Sequence, residues 1–516
     1  MPKHRLQRAA LALAVSLVLG AAGAVETLPP LVAAAKRGEQ AAALALVKQG
    51  AAVNDPEADG TTALHWAVQR SDARLVTALL DAGANPNAAN RYGMTPQHLA
   101  AINGDAATLR LLLKAGADAN AAMPEGETVL LSAARTGSVE AIDVLLEHGA
   151  QMDSRENWHG ETPLIWAAAE NHANAVRTLL AHGADPNIRS APEVWEKRRA
   201  SQSVLPLGEW TPLFYAARAN ALDAGKALIE GKADLNLADP DGATALVIAI
   251  INAHYEFAAM LIEAGADPNL VDTSGMGALY AVVDMHRLAV GHGRPNPKPV
   301  GLLGPPDIVK LLLAHGANPN AALSKPTIQR QHTFGDFTQG EGSTPLLRAA
   351  KSGDIELVKL LVAGGADVTH TLPNGVNALM FAAGFGWRNG SPLAPSYDQG
   401  TDAEAIETIA FLQEQGLSLA SQDKDGNTPL HAAIGGRSSE AIIAYLVNDA
   451  KADLGIRNAK GQTPFEFAQA KRGGEAVVAV LQSLGVGPSG PSGVAPVPAP
   501  AATSPARAAG VAPGGN

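Results

Sequence analysis

A threonine that returns at a fixed interval limits the folds open to this chain. Glu57 to Asn87 reads EADGTTALHWAVQRSDARLVTALLDAGANPN, and the pattern comes back from Arg91 as RYGMTPQHLAAINGDAATLRLLLKAGADAN and from Thr162 as TPLIWAAAENHANAVRTLLAHGADPN. Thr62, Thr95, Thr128 and Thr162 step by about 33 residues, a period that marks a repeat array. At 516 residues the chain exceeds the size at which one core stops growing, but an array escapes that limit because each unit touches only its neighbours.

Each unit reads as two short helices. Thr62 precedes the apolar run Leu64, Trp66, Ala67, and a threonine hydroxyl there satisfies an orphan backbone N–H. Pro96, Pro163 and Pro345 follow their threonines at the first helical position, where a missing N–H costs nothing. Leu75, Leu79 and Leu80 form a second run that stops at Gly83, the usual left-handed helix stop. Asp59-Gly60, Asp241-Gly242 and Asp425-Gly426 supply turn chemistry ahead of the helices. Small Ala-rich faces bury too little alone, and stacking gives them one continuous core.

Thr-Pro-Leu-His-x-Ala followed by LLxxGAdxN closely resembles the ankyrin repeat, from about residue 31 to 483. The resemblance implies an all-α solenoid of about eleven or twelve helix-turn-helix units, with β-hairpin fingers at the turns and partners bound on the fingers and inner helices. Leu31 to Asn54 lacks the opening turn and reads as the amino-terminal cap. Four insertions interrupt the spacing, at about 189–208, 287–304, 321–340 and 385–402. Of these, 189–208 and 321–340 lie between units, while 287–304 and 385–402 separate the two helices of one unit and should emerge at the opposite helix end. The units at Gly277-Ala278-Leu279-Tyr280 and Asn377-Ala378-Leu379-Met380 depart from Thr-Pro-Leu-His.

The ends differ from the array. Lys3, Arg5 and Arg8, the apolar stretch Ala9 to Gly20, and Ala22-Gly23-Ala24 form a signal peptide over residues 1–24, cleaved after Ala24. Its apolar run is too short to span a membrane comfortably. Ala-rich composition and a short signal suggest a bacterium and hence a periplasmic or secreted protein, with no membrane span after cleavage. Residues 485–516 are mostly Gly, Pro, Ala and Ser, with Arg507 as their charge, a composition that cannot build a core and is expected to form a disordered tail. The net charge of −11 argues against broad nucleic-acid affinity. Without cysteine, disulfides and thiolate chemistry are excluded.

No catalytic, cofactor or metal motif is visible: there is no G-x-x-x-x-G-K-[ST], H-E-x-x-H or EF-hand loop. The resemblance gives His65, His98 and His431 a hydrogen-bonding role in the stack. His148, His182 and His315 sit in a recurring HGA at the end of the second helix, where a cation suits the dipole. His286 and His292 lie near an insertion without the carboxylates or thiols that would complete a zinc site. Asp118, Asp185 and Asp267 recur as turn and surface residues.

Binding is therefore expected, in a monomer with a protein partner. Trp158 and His159 precede Thr162, and Trp195, Lys197, Arg198, Arg199 and Trp210 lie in or just after the next insertion. Neighbouring units sit about 10 Å apart, so the three tryptophans fall within one patch, unless the loop folds back and Trp195 plugs its own scaffold. Trp and Arg are favoured interface anchors. Arg330, His332, Phe334 and Phe337 occupy the later inter-unit insertion. An acidic partner would suit the basic character of three insertions. The sequence supports a non-enzymatic interaction scaffold, with an exported effector or an inhibitor or immunity-type protein as the alternative.

Overall fold

The computed structural model describes residues 28–194, 207–287, 289–290, 297–327, 339–387, 396–397, 400–487 and 490–491. The expected signal peptide lies outside the described residues. The chain divides into two compact units, Met1–Arg155 and Glu156–Asn516.

The first unit holds four helix pairs: α1 (Pro30–Arg37) with α2 (Gln40–Lys48), α3 (Ala63–Gln69) with α4 (Ala73–Asp81), α5 (Pro96–Ile102) with α6 (Ala106–Lys114), and α7 (Val129–Thr136) with α8 (Val139–Glu147). The second unit continues with α9 (Pro163–Ala169) and α10 (Ala173–Ala181), α11 (Pro212–Ala219) and α12 (Leu222–Glu230), α13 (Ala245–Ile251) and α14 (Tyr255–Glu263), and α15 (Ala278–His286) and α16 (Pro305–Ala314). It ends with α17 (Pro345–Lys351) and α18 (Ile355–Ala363), α19 (Ala378–Ala383) and α20 (Asp402–Glu414), α21 (Pro429–Gly435) and α22 (Glu440–Ala444), and α23 (Pro464–Ala470) and α24 (Glu475–Ser483). The fold class is the all-α repeat array that the threonine spacing predicts. No helix among the described residues is long and apolar enough to cross a membrane.

The threonines cap as expected. Thr128 Oγ1 accepts from Leu131 N at 3.3 Å and Thr463 Oγ1 from Glu466 N at 3.3 Å. At Thr62 and Thr95 the hydroxyl instead meets the imidazole Nδ1 three residues on, His65 at 2.9 Å and His98 at 2.7 Å. Asp72, Asp105 and Asp354 cap the second helices by accepting from Leu75, Thr108 and Leu357 N. Leu64, Ala67, Val68, Val76 and Leu79 are fully buried. Within each unit, first helices pack on first helices and second on second, so the core runs between the two layers.

Single antiparallel bridges close the fingers, as at Ala122↔Thr128, Ala238↔Thr244 and Thr371↔Asn377. Several fingers donate a backbone N–H to the one before: Arg91 N to Asp59 O at 2.8 Å, Thr273 N to Asp241 O at 2.9 Å, Ala459 N to Asp425 O at 2.7 Å. A second ladder runs through the asparagine that ends several of the repeats. Asn87 Oδ1 accepts from Asp118 N at 2.7 Å while its Nδ2 donates to Gly116 O at 2.8 Å. Asn120 spans to Gln151 N and Gly149 O in the same way, and Asn269 to Asn318 N and Gly316 O.

The inter-unit insertions are lengthened fingers. Ser190 N donates to Trp210 O, Glu193 N to Leu207 O, and Pro192 bridges Gly208. Gly208 has φ 74° and a Cβ there would meet Ala191 O at 2.1 Å, so no larger residue closes this base. The later insertion is rooted by Leu323 N to Ser343 O and Gly342 N to Leu323 O. The other two insertions, which emerge where first helix turns to second, meet one another: β1 (Ala289–Val290) pairs antiparallel with β2 (Ser396–Tyr397). After α24 the chain stays in the fold longer than its composition predicts. Gly485 has φ 79°, Val486 is buried, and β3 (Val486–Gly487) pairs with β4 (Gly490–Pro491). An apolar residue just past the glycine stop packs back on the last helical turn, which explains the departure.

Candidate functional site

A finger that opens with Asn or Asp is held by that first side chain. Asn90 Oδ1 accepts from Tyr92 N and Met94 N, both at 3.0 Å. Asp272 holds Ser274 N and Met276 N likewise, and Asp423 holds Asp425 N and Asn427 N. The finger before Thr162 is one residue longer, and a glutamate opens it. Glu156 Oε2 accepts from Trp158 N at 2.6 Å, and Oε1 from His159 N at 2.9 Å and Glu161 N at 2.8 Å. The extra methylene lets one carboxylate span the longer turn. Trp158 rides on this pinned turn with 67% of its surface exposed. His159 Nδ1 lies 2.8 Å from Glu193 Oε1, and Ala191 N donates to His159 O at 2.8 Å. The lengthened finger is therefore tied to the tryptophan-bearing one, and exposed Val194 stands at its described edge.

On the helix side of these fingers, Glu161 bonds the side chains of Tyr215 and Trp166. Burial pushes its carboxyl above the usual range, and burial beside Glu161 pushes the Tyr215 hydroxyl up as well. The first unit repeats the theme. Trp66 Nε1 donates to Glu57 Oε1 at 2.5 Å, with Lys36 Nζ 2.8 Å from Glu57 and 4.9 Å from the indole centroid. Ser132, at the same register, donates to Glu127 at 2.6 Å alongside Arg135. Each is a finger carboxylate gripping the fourth residue after the opening threonine, so within each unit the finger and the inner helix beside it share one polar surface.

Trp210 requires a correction. It is 7% exposed, its ring packed 5.8 Å from Phe214 and 5.7 Å from Tyr215 with the Arg218 guanidinium 5.4 Å from its centroid. Its backbone belongs to the paired base of the lengthened finger, which turns the side chain onto α11 and away from solvent. It braces the surface and does not join a three-tryptophan patch. Trp195, Lys197, Arg198 and Arg199 lie outside the described residues, as do Arg330, His332, Phe334 and Phe337.

The histidines follow their repeat positions. His65, His98 and His431 carry Nε2 to the carbonyls of Met94, Glu127 and Gln462 in the next finger, at 3.1, 3.2 and 3.1 Å. Burial depresses all three, His98 to about 4. His148, His182 and His315 are the residues that cap the carboxyl ends of α8, α10 and α16. His286 Nδ1 stands 2.5 Å from Asp354 Oδ2. His292 is outside the described residues. Asp118, Asp185 and Asp267 each accept from the amide two residues on. Sequence reasoning overlooked Glu156, whose signal was a longer finger opened by Glu in place of Asp or Asn. It also missed the bridging asparagines, whose signal was their constant place before the next finger.

Comparison with known proteins agrees with this architecture. The profile described as Ankyrin repeats (3 copies) matches residues 13–90, 31–123, 97–190, 197–272 and 302–390, and that described as Ankyrin repeats (many copies) matches 412–468. Rabankyrin-5 of Mus musculus is similar at 29% identity over 150 residues, which cover 29% of this chain and 12% of that protein.

Proposed function

The chain belongs to the ankyrin-repeat family, and from that premise we propose that it is a non-enzymatic scaffold of the bacterial periplasm, gripping a protein partner with its fingers and inner helices. Ankyrin repeats generally mediate protein–protein interaction, and the observation that carries the reading is Trp158. A large aromatic held two-thirds exposed by three hydrogen bonds to one carboxylate is preorganised for contact, since its turn loses little freedom on binding. Val194, His159 and Glu193 surround it, and Glu161, Trp166 and Tyr215 continue the surface inward.

The test is affinity capture with cross-linking from an envelope fraction, comparing the mature chain with Trp158→Ala. A central tryptophan contributes on the order of 2 kcal/mol or more to an interface, so the variant should retain the partner about thirtyfold less well. Equal retention by a variant whose circular dichroism is unchanged would remove this surface from the proposal. For the location, the intact mass of protein released by osmotic shock should match a chain beginning at Val25. A chain still carrying Met1 in the cytosolic fraction would sink the periplasmic reading.

A further inference from the structure

A repeat array passes force and stability between adjacent units, but one part of this chain reaches past its neighbour. The pair α15–α16 and the pair α19–α20 are separated by α17–α18, yet β1 from the first pairs with β2 from the other. Arg287, directly after α15, places Nη2 2.6 Å from Glu404 Oε1 on α20, 117 residues away. Between them stands Asp354, 1% exposed, with His286 at 2.5 Å and Arg287 Nε at 3.7 Å. Arg348 on α17 reaches Asp284 at 2.6 Å and donates to Arg287 O at 3.2 Å. Gly400 N donates to Ser352 O at 2.7 Å. From the following pair, Arg437 donates to Gly400 O, meets Asp402 at 2.6 Å and stacks 4.0 Å from the Trp387 centroid. Contacts from α15, α17, α18 and α20 thus meet at this end of three consecutive pairs.

We propose that the roots of the two within-repeat insertions form a clasp that joins α15–α16 to α19–α20 across α17–α18, so that these three repeats open and close as one body. The charges are the working parts. The Arg287 guanidinium and the amide of Thr401 hold the Glu404 carboxyl down to about 2, while Asp354 fills two roles, capping α18 and receiving His286. A nearest-neighbour array has no means of sensing Glu404 at α15. This one does.

Hydrogen exchange of the full chain tests the coupling. Glu404→Gln is the informative variant, because Gln at this position preserves the capping box with Thr401 and removes the charge facing Arg287. Amides of α15 and α16 should exchange about tenfold faster, together with α17, while α11 and α12 are unchanged. Arg287→Ala should act reciprocally on α20. Lys359→Ala, which removes the exposed neighbouring pair Lys359–Glu407 at 2.7 Å, should leave α15 untouched. Faster exchange confined to the helix pair that carries each substitution would overturn the proposal. If either variant fails to fold, the wild-type chain decides: α15, α17 and α19 must share one opening rate, and three separate rates would refute the clasp.

Discussion

Arg135 and Lys351 hold the same place in their repeats, seven residues after the opening threonine. Arg135 lies exposed and reaches out to its own finger, Glu127, at 2.8 Å. Lys351 is 4% exposed, its ammonium 5.9 Å from the Phe381 centroid. Nothing in the two helices accounts for this. The first unit has no insertion, whereas α17 lies between two that pair with one another, and Lys351 turns to Phe381 of the following helix pair. A repeat position thus specifies a helix and its caps, and the chain inserted elsewhere decides whether the same side chain faces water.

The sharpest way to break this contrast is at Asp105 and Asp354, which occupy one register and cap α6 and α18. Asp105→Ala should lower stability by about 1 kcal/mol, the usual effect of losing a cap. Asp354→Ala also strips His286 and Arg287 of a buried carboxylate and should cost about 3–5 kcal/mol. Urea denaturation followed by exchange in α6 and α18 measures both. Equal effects would mean that the insertions add nothing.

Acid should separate the regions next. His98 titrates at about 4 in the fold, below the ordinary value of about 6.5, so between those limits the unfolded chain binds the additional proton. Stability from neutral His98 is complete above about pH 6.5 and is lost as pH falls toward 4, by on the order of 3 kcal/mol. The corresponding residue of α17 is Leu347, which has no such dependence. Exchange in α5 between pH 7 and 4 should show the loss, and His98→Gln should flatten it. A slope that survives that substitution would assign the effect to another group. The smallest expected change is at the long finger. Glu156→Asp shortens the one carboxylate that spans it, and the amides of Trp158, His159 and Glu161 should exchange roughly fivefold faster, equivalent to ~1 kcal/mol. Unchanged exchange would show that the turn is held by its neighbours instead.

Most of the fold was legible because caps and stops are local. Thr128, Pro163 and Gly83 act on residues within one turn, and the insertion boundaries appeared as interruptions in an otherwise steady spacing. The site was less legible, since burial is set by chain remote in sequence. Trp210 resembles any tryptophan beside a loop until the paired base from Ser190 to Trp210 turns it inward. Arg287 and Glu404 carry no shared motif, and only the pairing of two insertions brings them together. Glu156 was readable in principle, through the match between an added residue and an added methylene.

The bridging asparagines give the array a direction in time. Asn87 waits for the amide of Asp118, 31 residues later, whereas Asn187 must wait for Asp234, 47 residues later. A ribosome adding roughly 5–20 residues per second supplies those partners at unequal intervals. A repeat that ends in such an asparagine gains this bridge only after its successor has been made, and an inserted finger lengthens that interval.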